Sequence, residues 1–326
     1  MDSLITGGAG FIGSHLAKSL VAQNEFVGII DNLFRGSLSN LDTLSDTEME
    51  FFNFDLADYK NFETLVNLLE RYRPKKIFHY AAINGTQHFY DHPELTQKTN
   101  SLATLMLVEA IKKVYSVYDA PYLIFASTSE NYGDPLVVPT SETDTTYVNI
   151  ESVRDSYAAA KLMSEFYVRY GALGDHYQYL ILRIFNVYGP NMVGTKYGQV
   201  IPEFIARASG GEYPLKIIGD GTQTRSFCFI EDHINLTLKL INSKRAENSV
   251  VNLGNPTEIS IKELAVKVLN HLGIEPLLVF TDQRAFDTQR RCPDLSYMLS
   301  LVGDYQFIDL DTGLEKMLNA MKRKND

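Results

Sequence analysis

The segment Thr6-Gly7-Gly8-Ala9-Gly10-Phe11-Ile12-Gly13 follows a short apolar run, Ser3 to Thr6, and opens a helical pattern, Phe11 to Val21. Glycines at a strand-to-helix turn let backbone approach a pyrophosphate, while the helix amino terminus offers unpaired N–H groups and the positive end of its dipole. Gly7, Gly10, Phe11, Ile12 and Gly13 are therefore candidate dinucleotide contacts, with Gly13 also permitting the helix to pack closely on the strand. A turn that merely needs glycine would look the same in isolation, so the rest of the chain has to supply the context.

That context is an alternation of short apolar runs with longer helical ones, the pattern of βαβ units and a parallel sheet. Strands are expected over Ser3 to Thr6, Phe26 to Asp31, Glu50 to Asn53, Lys76 to Tyr80, Tyr122 to Ala126 and Gln178 to Arg183. Helices are expected over Phe11 to Val21, Lys60 to Arg71, Glu94 to Tyr118 and Asp155 to Tyr170, where apolar residues return at helical spacing. Asp31, at the end of the second strand and next to Asn32, can accept hydrogen bonds from an adenosine ribose and repel a 2′-phosphate, which favours NAD over NADP. Arg35 nearby leaves room for a phosphate. Asp55-Leu56 and Tyr80-Ala81-Ala82 fall at the carboxyl ends of the next strands, where an open α/β sheet binds ligands.

After Arg183 the pattern breaks into glycine- and proline-punctuated loops, and the chain is expected to leave the sheet. Ser249 to Leu253 returns to it, and Ser260 and Glu263 have capping-box spacing at the head of a helix closed by Gly273. The resulting expectation is an α/β chain: a Rossmann-type doubly wound parallel sheet with a smaller C-terminal α/β substrate-binding region. The division places residues 1–186 in the dinucleotide-binding part, with about 226–255 returning to it, and residues 187–225 and 256–326 in the second part.

Composition excludes several functions. A net charge of -10 opposes binding to a nucleic acid polymer, which needs a basic surface stripe. The chain opens directly on structure and holds no apolar run of bilayer length, so a cytoplasmic protein with no membrane partner is expected. Cys228 and Cys292 are the only cysteines and read as reduced thiols. His88 and His92 have helical spacing but Pro93 follows and no further ligand pattern accompanies them; they are expected on a polar surface loop, with no metal.

Tyr157 and Lys161 stand four residues apart on an expected helix and project from one face. A phenol is a poor base at neutral pH, but a nearby ammonium and an oxidised nicotinamide favour its ionised form, which can take a proton from a sugar hydroxyl. Tyr-x-x-x-Lys alone is common in helices. Here it follows the glycine turn, the acidic strand end and Ser127-Thr128-Ser129-Glu130-Asn131-Tyr132-Gly133. Arg183-Ile184-Phe185-Asn186-Val187-Tyr188-Gly189-Pro190, Gly219 to Phe227 and Arg291-Cys292-Pro293-Asp294 come after it. In this order the motifs resemble, over nearly the whole chain, the extended short-chain dehydrogenase/reductases that modify nucleotide sugars.

The resemblance implies bound NAD, a nucleoside-diphosphate sugar substrate and a homodimer. It further implies that Tyr157 is the base, that Lys161 holds the nicotinamide ribose, and that Ser127 lies by the cofactor. Thr128 would bond the sugar, with Thr86, Ser129, Asn186, Val200, Ile217, Arg225 and Arg291 in contact with substrate. Oxidation at sugar C4 then permits decarboxylation, 4,6-dehydration or 4-epimerisation. Glu130 discriminates among them, since a carboxylate can remove an acidified C5 proton or assist proton delivery, and plain epimerisation does not need it. Thr-Ser-Glu here resembles UDP-glucuronate decarboxylases and GDP-mannose 4,6-dehydratases, although Ala82-Ile83-Asn84-Gly85-Thr86 matches neither pattern well. A non-catalytic NAD-binding sensor is the alternative from another class, and the presence of Tyr157 and Lys161 argues against it.

Overall fold

The computed structural model describes residues 1–192, 194, 199–283 and 288–325. The chain runs β1 (Ser3–Thr6), α1 (Phe11–Val21), β2 (Val27–Asp31), β3 (Met49–Asn53), α2 (Phe62–Tyr72), β4 (Lys76–His79), α3 (Thr86–Asp91), α4 (Pro93–Val114), β5 (Tyr122–Thr128), α5 (Ser156–Gly171) and β6 (Gln178–Ile184). There follow β7 (Val187–Tyr188), α6 (Val200–Ser209), β8 (Leu215–Ile218), β9 (Thr224–Ser226), β10 (Cys228–Phe229), α7 (Ile230–Ile241) and β11 (Ser249–Leu253). The remainder is β12 (Glu258–Ser260), α8 (Ile261–His271), β13 (Leu278–Thr281), β14 (Arg290–Arg291), α9 (Ser296–Val302) and α10 (Leu310–Asn325).

Seven strands form one parallel sheet in the order β11-β6-β5-β4-β1-β2-β3. Successive strand residues point to opposite faces, so the continuous apolar runs require helices on both. Ile5, Ile29, Phe78, Ile124 and Leu182 join one core, and their neighbours Leu4, Ile30, Ile77, Leu123 and Ile181 join the other. The strand order reverses between β1 and β4. At such a switch point the loops leaving the two strands part and open a crevice at the carboxyl edge.

Several element ends differ from expectation. Strand β5 continues through Ser127 and Thr128 because they pair with Arg183 and Ile184 of β6. Helix α4 stops at Val114, where Tyr115 turns to extended backbone and its buried phenol donates to the Pro74 carbonyl at 3.1 Å. Helix α3 was not expected at all, being too short to show a period. His88 lies within it, buried and 5.8 Å from the Phe34 ring, rather than on a polar surface loop. Ser260 and Glu263 form the expected capping box at α8. Cys228 and Cys292 are free and buried. Among the described residues no helix is long and apolar enough to cross a membrane.

Beyond β6 the small strands pair locally: β7 with β10, β8 with β13, and β9 with both β12 and β14. In the last of these sheets Arg225 and Arg291 stand directly opposite each other. Strand β11 then re-enters the main sheet beside β6, setting Asn252 against Arg183.

Candidate active site

A cleft of about 310 Å³ runs along the carboxyl ends of the strands. Its floor is the glycine turn. Gly7 has φ +73°, and a β-carbon there would stand 2.7 Å from the Ala81 nitrogen; one on Gly13 would stand 2.2 Å from the Gly7 carbonyl oxygen. Only hydrogen fits at either place, which is how β1 and α1 come to meet with their backbone bare. No side chain caps the amino terminus of α1, so its N–H groups face the cleft. Asp31 accepts from the Ala9 and Leu33 amides at 3.0 and 2.8 Å, fixing the turn to the end of β2. Burial raises its pKa and these two amides oppose the rise. A carboxylate has about four acceptor sites, so Asp31 keeps capacity for ribose hydroxyls. Asn32, Asp55, Leu56, Tyr80, Ala81 and Ala82 line the same cleft. This uncapped helix end, bare backbone and terminal carboxylate fit a dinucleotide.

Helix α5 supplies the reactive side. Tyr157, Lys161, Ser164, Glu165 and Val168 form its buried face, turned to β5. Tyr157 is 5% exposed and lines the cleft with Ser127, Thr128, Ser129, Glu130 and Lys161. Burial, followed by the negative charge of Glu130, raises the Tyr157 pKa, while Thr128 and Arg35 act the other way. The phenol is thus protonated until further positive charge enters the cleft. Arg35, which sequence reasoning linked only to a phosphate, is the cation that favours its ionisation here.

Lys161 is 1% exposed; its Nζ donates to the Ala126 carbonyl at 2.8 Å and lies 4.9 Å from the centre of the Phe125 ring. Burial brings its pKa down to about 7, against the opposing charge of Glu165. Glu165 is itself held by Arg183 at 2.8 Å, Asn131 at 2.9 Å and Ser127 at 2.5 Å.

Glu130 sits at the other wall, in the short 3-10 turn that ends β5, with 23% of its side chain exposed. Arg291 donates to it, and Arg154 does so at 3.3 Å. Burial alone would raise its pKa, but Arg154, Arg291 and Arg225 overcome that cost and hold it at about 2. Arg291 also donates to Thr288 at 2.9 Å and to the Gly133 carbonyl at 3.2 Å. Arg154 was missed by sequence reasoning. Its only sequence signal is its place three residues before Tyr157, in the turn leading into α5.

The other expected substrate contacts are dispersed. Asn186 lines the cleft, with its amide donating to the Ser226 carbonyl at 3.2 Å. Thr86 begins α3 after Gly85, and Val200 begins α6 next to Gln199, which lines the cleft. Ile217 is fully buried in the core that continues from one face of the main sheet, because it points inward from β8 while Lys216 points out. Residues 195–198, ahead of α6, lie outside the described residues.

This geometry agrees with what is known of other proteins. The NAD dependent epimerase/dehydratase family model matches residues 3–254. The chain belongs to that family. UDP-glucuronic acid decarboxylase 1 of Xenopus tropicalis is 34% identical over 98% of this chain and 72% of its own length. UDP-glucuronic acid decarboxylase 3 of Arabidopsis thaliana is 35% identical over 97% of this chain and 88% of its own. Among solved structures, the UDP-glucose 4-epimerase of Thermotoga maritima with UDP-glucose has a TM-score of 0.88 at 26% identity, covering all of both chains. MoeE5 in complex with UDP-glucuronic acid and NAD has a TM-score of 0.82 at 27% identity, covering 99% of this chain and 100% of that one. As a member of the family, this chain is an NAD-dependent enzyme that modifies nucleotide sugars.

Proposed function

We propose that the enzyme decarboxylates a nucleoside-diphosphate hexuronate through transient oxidation at sugar C4. The observation that carries this reading is the cluster at Glu130: three guanidinium groups face one carboxylate and leave the substrate wall positively charged. A planar guanidinium suits a carboxylate through paired hydrogen bonds, so an anionic sugar ring fits this wall better than a neutral one. The decarboxylases similar to this chain and the UDP-glucuronic acid complex of MoeE5 add support for that substrate class.

Gly7, Gly10, Gly13, Asp31 and Lys161 would hold NAD, which supplies a reversible hydride acceptor at C4. Tyr157 takes the C4 hydroxyl proton, with Thr128 bonding the same oxygen. The C6 carboxylate is then β to a ketone. Carbon dioxide leaves as the C5–C6 bonding electrons pass to the ketone oxygen, and a proton enters at C5. Tyr157 finally returns its proton to the C4 oxygen as the alcohol is restored. Glu130, ionised by its arginines, is too weak a base to suit removal of a C5 proton in dehydration. Its role is to space Arg154 and Arg291 and to guide the proton to C5. Asn186 and Arg225 complete the substrate wall.

The outer faces of α4 and α5 fit a second copy of the chain, making the enzyme a homodimer. The reaction is tested by incubating the protein with UDP-glucuronate, UDP-glucose, dTDP-glucose and GDP-mannose and weighing the products by mass spectrometry. Loss of carbon dioxide from UDP-glucuronate is expected. An isomer of unchanged mass would replace decarboxylation with 4-epimerisation, and loss of water from a neutral sugar would replace it with 4,6-dehydration.

A further inference from the structure

The rings of Phe89 and Tyr157 are stacked, with centroids 4.6 Å apart and planes 10° from parallel. Phe89 is 2% exposed and stays out of the cleft, whereas Tyr157 lines it. The phenylalanine therefore meets the phenol from behind, on the side away from the reacting space. It comes from α3, just past the segment Ala82 to Thr86 that matches neither family pattern.

That segment is firmly placed. The Ile83 amide donates to the Asn100 side chain at 2.8 Å, and the Asn100 amide returns a bond to the Ile83 carbonyl at 3.0 Å. The Asn100 carbonyl also accepts from Ser164 of α5 at 3.1 Å. Helix α3 thus rests between α4 and the turn over Val153–Asp155 that leads into α5. One asparagine joins the support of Phe89 to the helix that carries Tyr157.

We infer that Phe89 is a positioning residue for Tyr157: its ring fixes the plane of the phenol and so the direction of the hydroxyl toward Thr128 and the substrate. A buried phenol has two soft torsions, and a stacked flat partner sets the plane of the ring more narrowly than an aliphatic one of similar size. Proton transfer depends on sub-ångström placement of the accepting oxygen, so the loss of that restraint falls on the chemical step. The inference rests on Tyr157 being the base.

The test compares Phe89→Leu, Phe89→Tyr and Tyr157→Phe in the full-length enzyme, using whichever sugar of the four-substrate panel wild type turns over fastest. Phe89→Leu is expected to lower kcat about tenfold, with KM and NAD affinity within about twofold of wild type. Phe89→Tyr, which restores a flat ring, is expected to recover most of kcat. Phe89→Met refills the space without a plane and decides the same point if the leucine variant does not fold. Wild-type kcat in Phe89→Leu, or a parallel loss of kcat, NAD affinity and thermal stability that Phe89→Tyr does not relieve, would overturn the inference. Undiminished turnover in Tyr157→Phe would instead remove the base itself, a separate failure.

Discussion

Glu130 is where the sequence reading and the geometry differ most at the scale of single residues. Read from its neighbours in the chain, it was a carboxylate whose environment would tune it; in space it is an anion among guanidinium groups, with a pKa of about 2. A carboxyl depressed below its ordinary value of ~4.3 contributes stability that is complete above that value and is lost as pH falls toward the folded one. Glu130→Gln should therefore destabilise the protein by about 2–4 kcal/mol at neutral pH, because it leaves the arginines uncompensated. The difference from wild type should shrink between pH ~4 and ~2, as followed by urea unfolding at stepped pH; a gap that does not change with pH would show that the charge of Glu130 is not what stabilises the fold. The glycine turn, Asp31, Tyr157 and Lys161 were legible because each sits at a fixed distance from an element end. Arg154, Arg35 and Phe89 were not, since what brings them to the site is tertiary packing that leaves no spacing to read.

Helix α5 shows how one element serves two surfaces. Its buried face carries Tyr157 and Lys161, and its opposite face exposes Met163, Phe166 and Tyr170, with Phe166 51% exposed and stacked on Tyr170 at 5.6 Å. An apolar stripe of this kind on water is a standing cost unless a partner covers it. Wild type is expected to sediment as a dimer, and Phe166→Glu as a folded monomer; a wild-type monomer, or a variant that remains dimeric, would place the contact elsewhere. The long helices and central strands were readable because their apolar periods extend over several turns or run unbroken through a doubly covered sheet. Their ends were less so: β5 gains Ser127 and Thr128 from pairing, and α4 loses its last turn to the burial of Tyr115.

Across the whole molecule, strand β11 belongs to the main sheet although it is made after α6, β8 and α7 have been laid down outside it. Residues 1–186 alone would leave β6 as an unpaired edge and uncover the core face that α7 closes. Expressed separately, that fragment should aggregate, and it should become soluble when supplied with residues 187–326; a monomeric fragment that binds NAD by calorimetry would show the sheet to be self-sufficient without β11. The same threading joins the two arginines of the substrate wall. The chain leaves the sheet after β6 to make β9, re-enters at β11 and leaves again to make β14, so the pairing that sets Arg225 opposite Arg291 is reached from two neighbouring strands of the parallel sheet. A change that loosens β11 from β6 is therefore felt at both guanidinium groups at once.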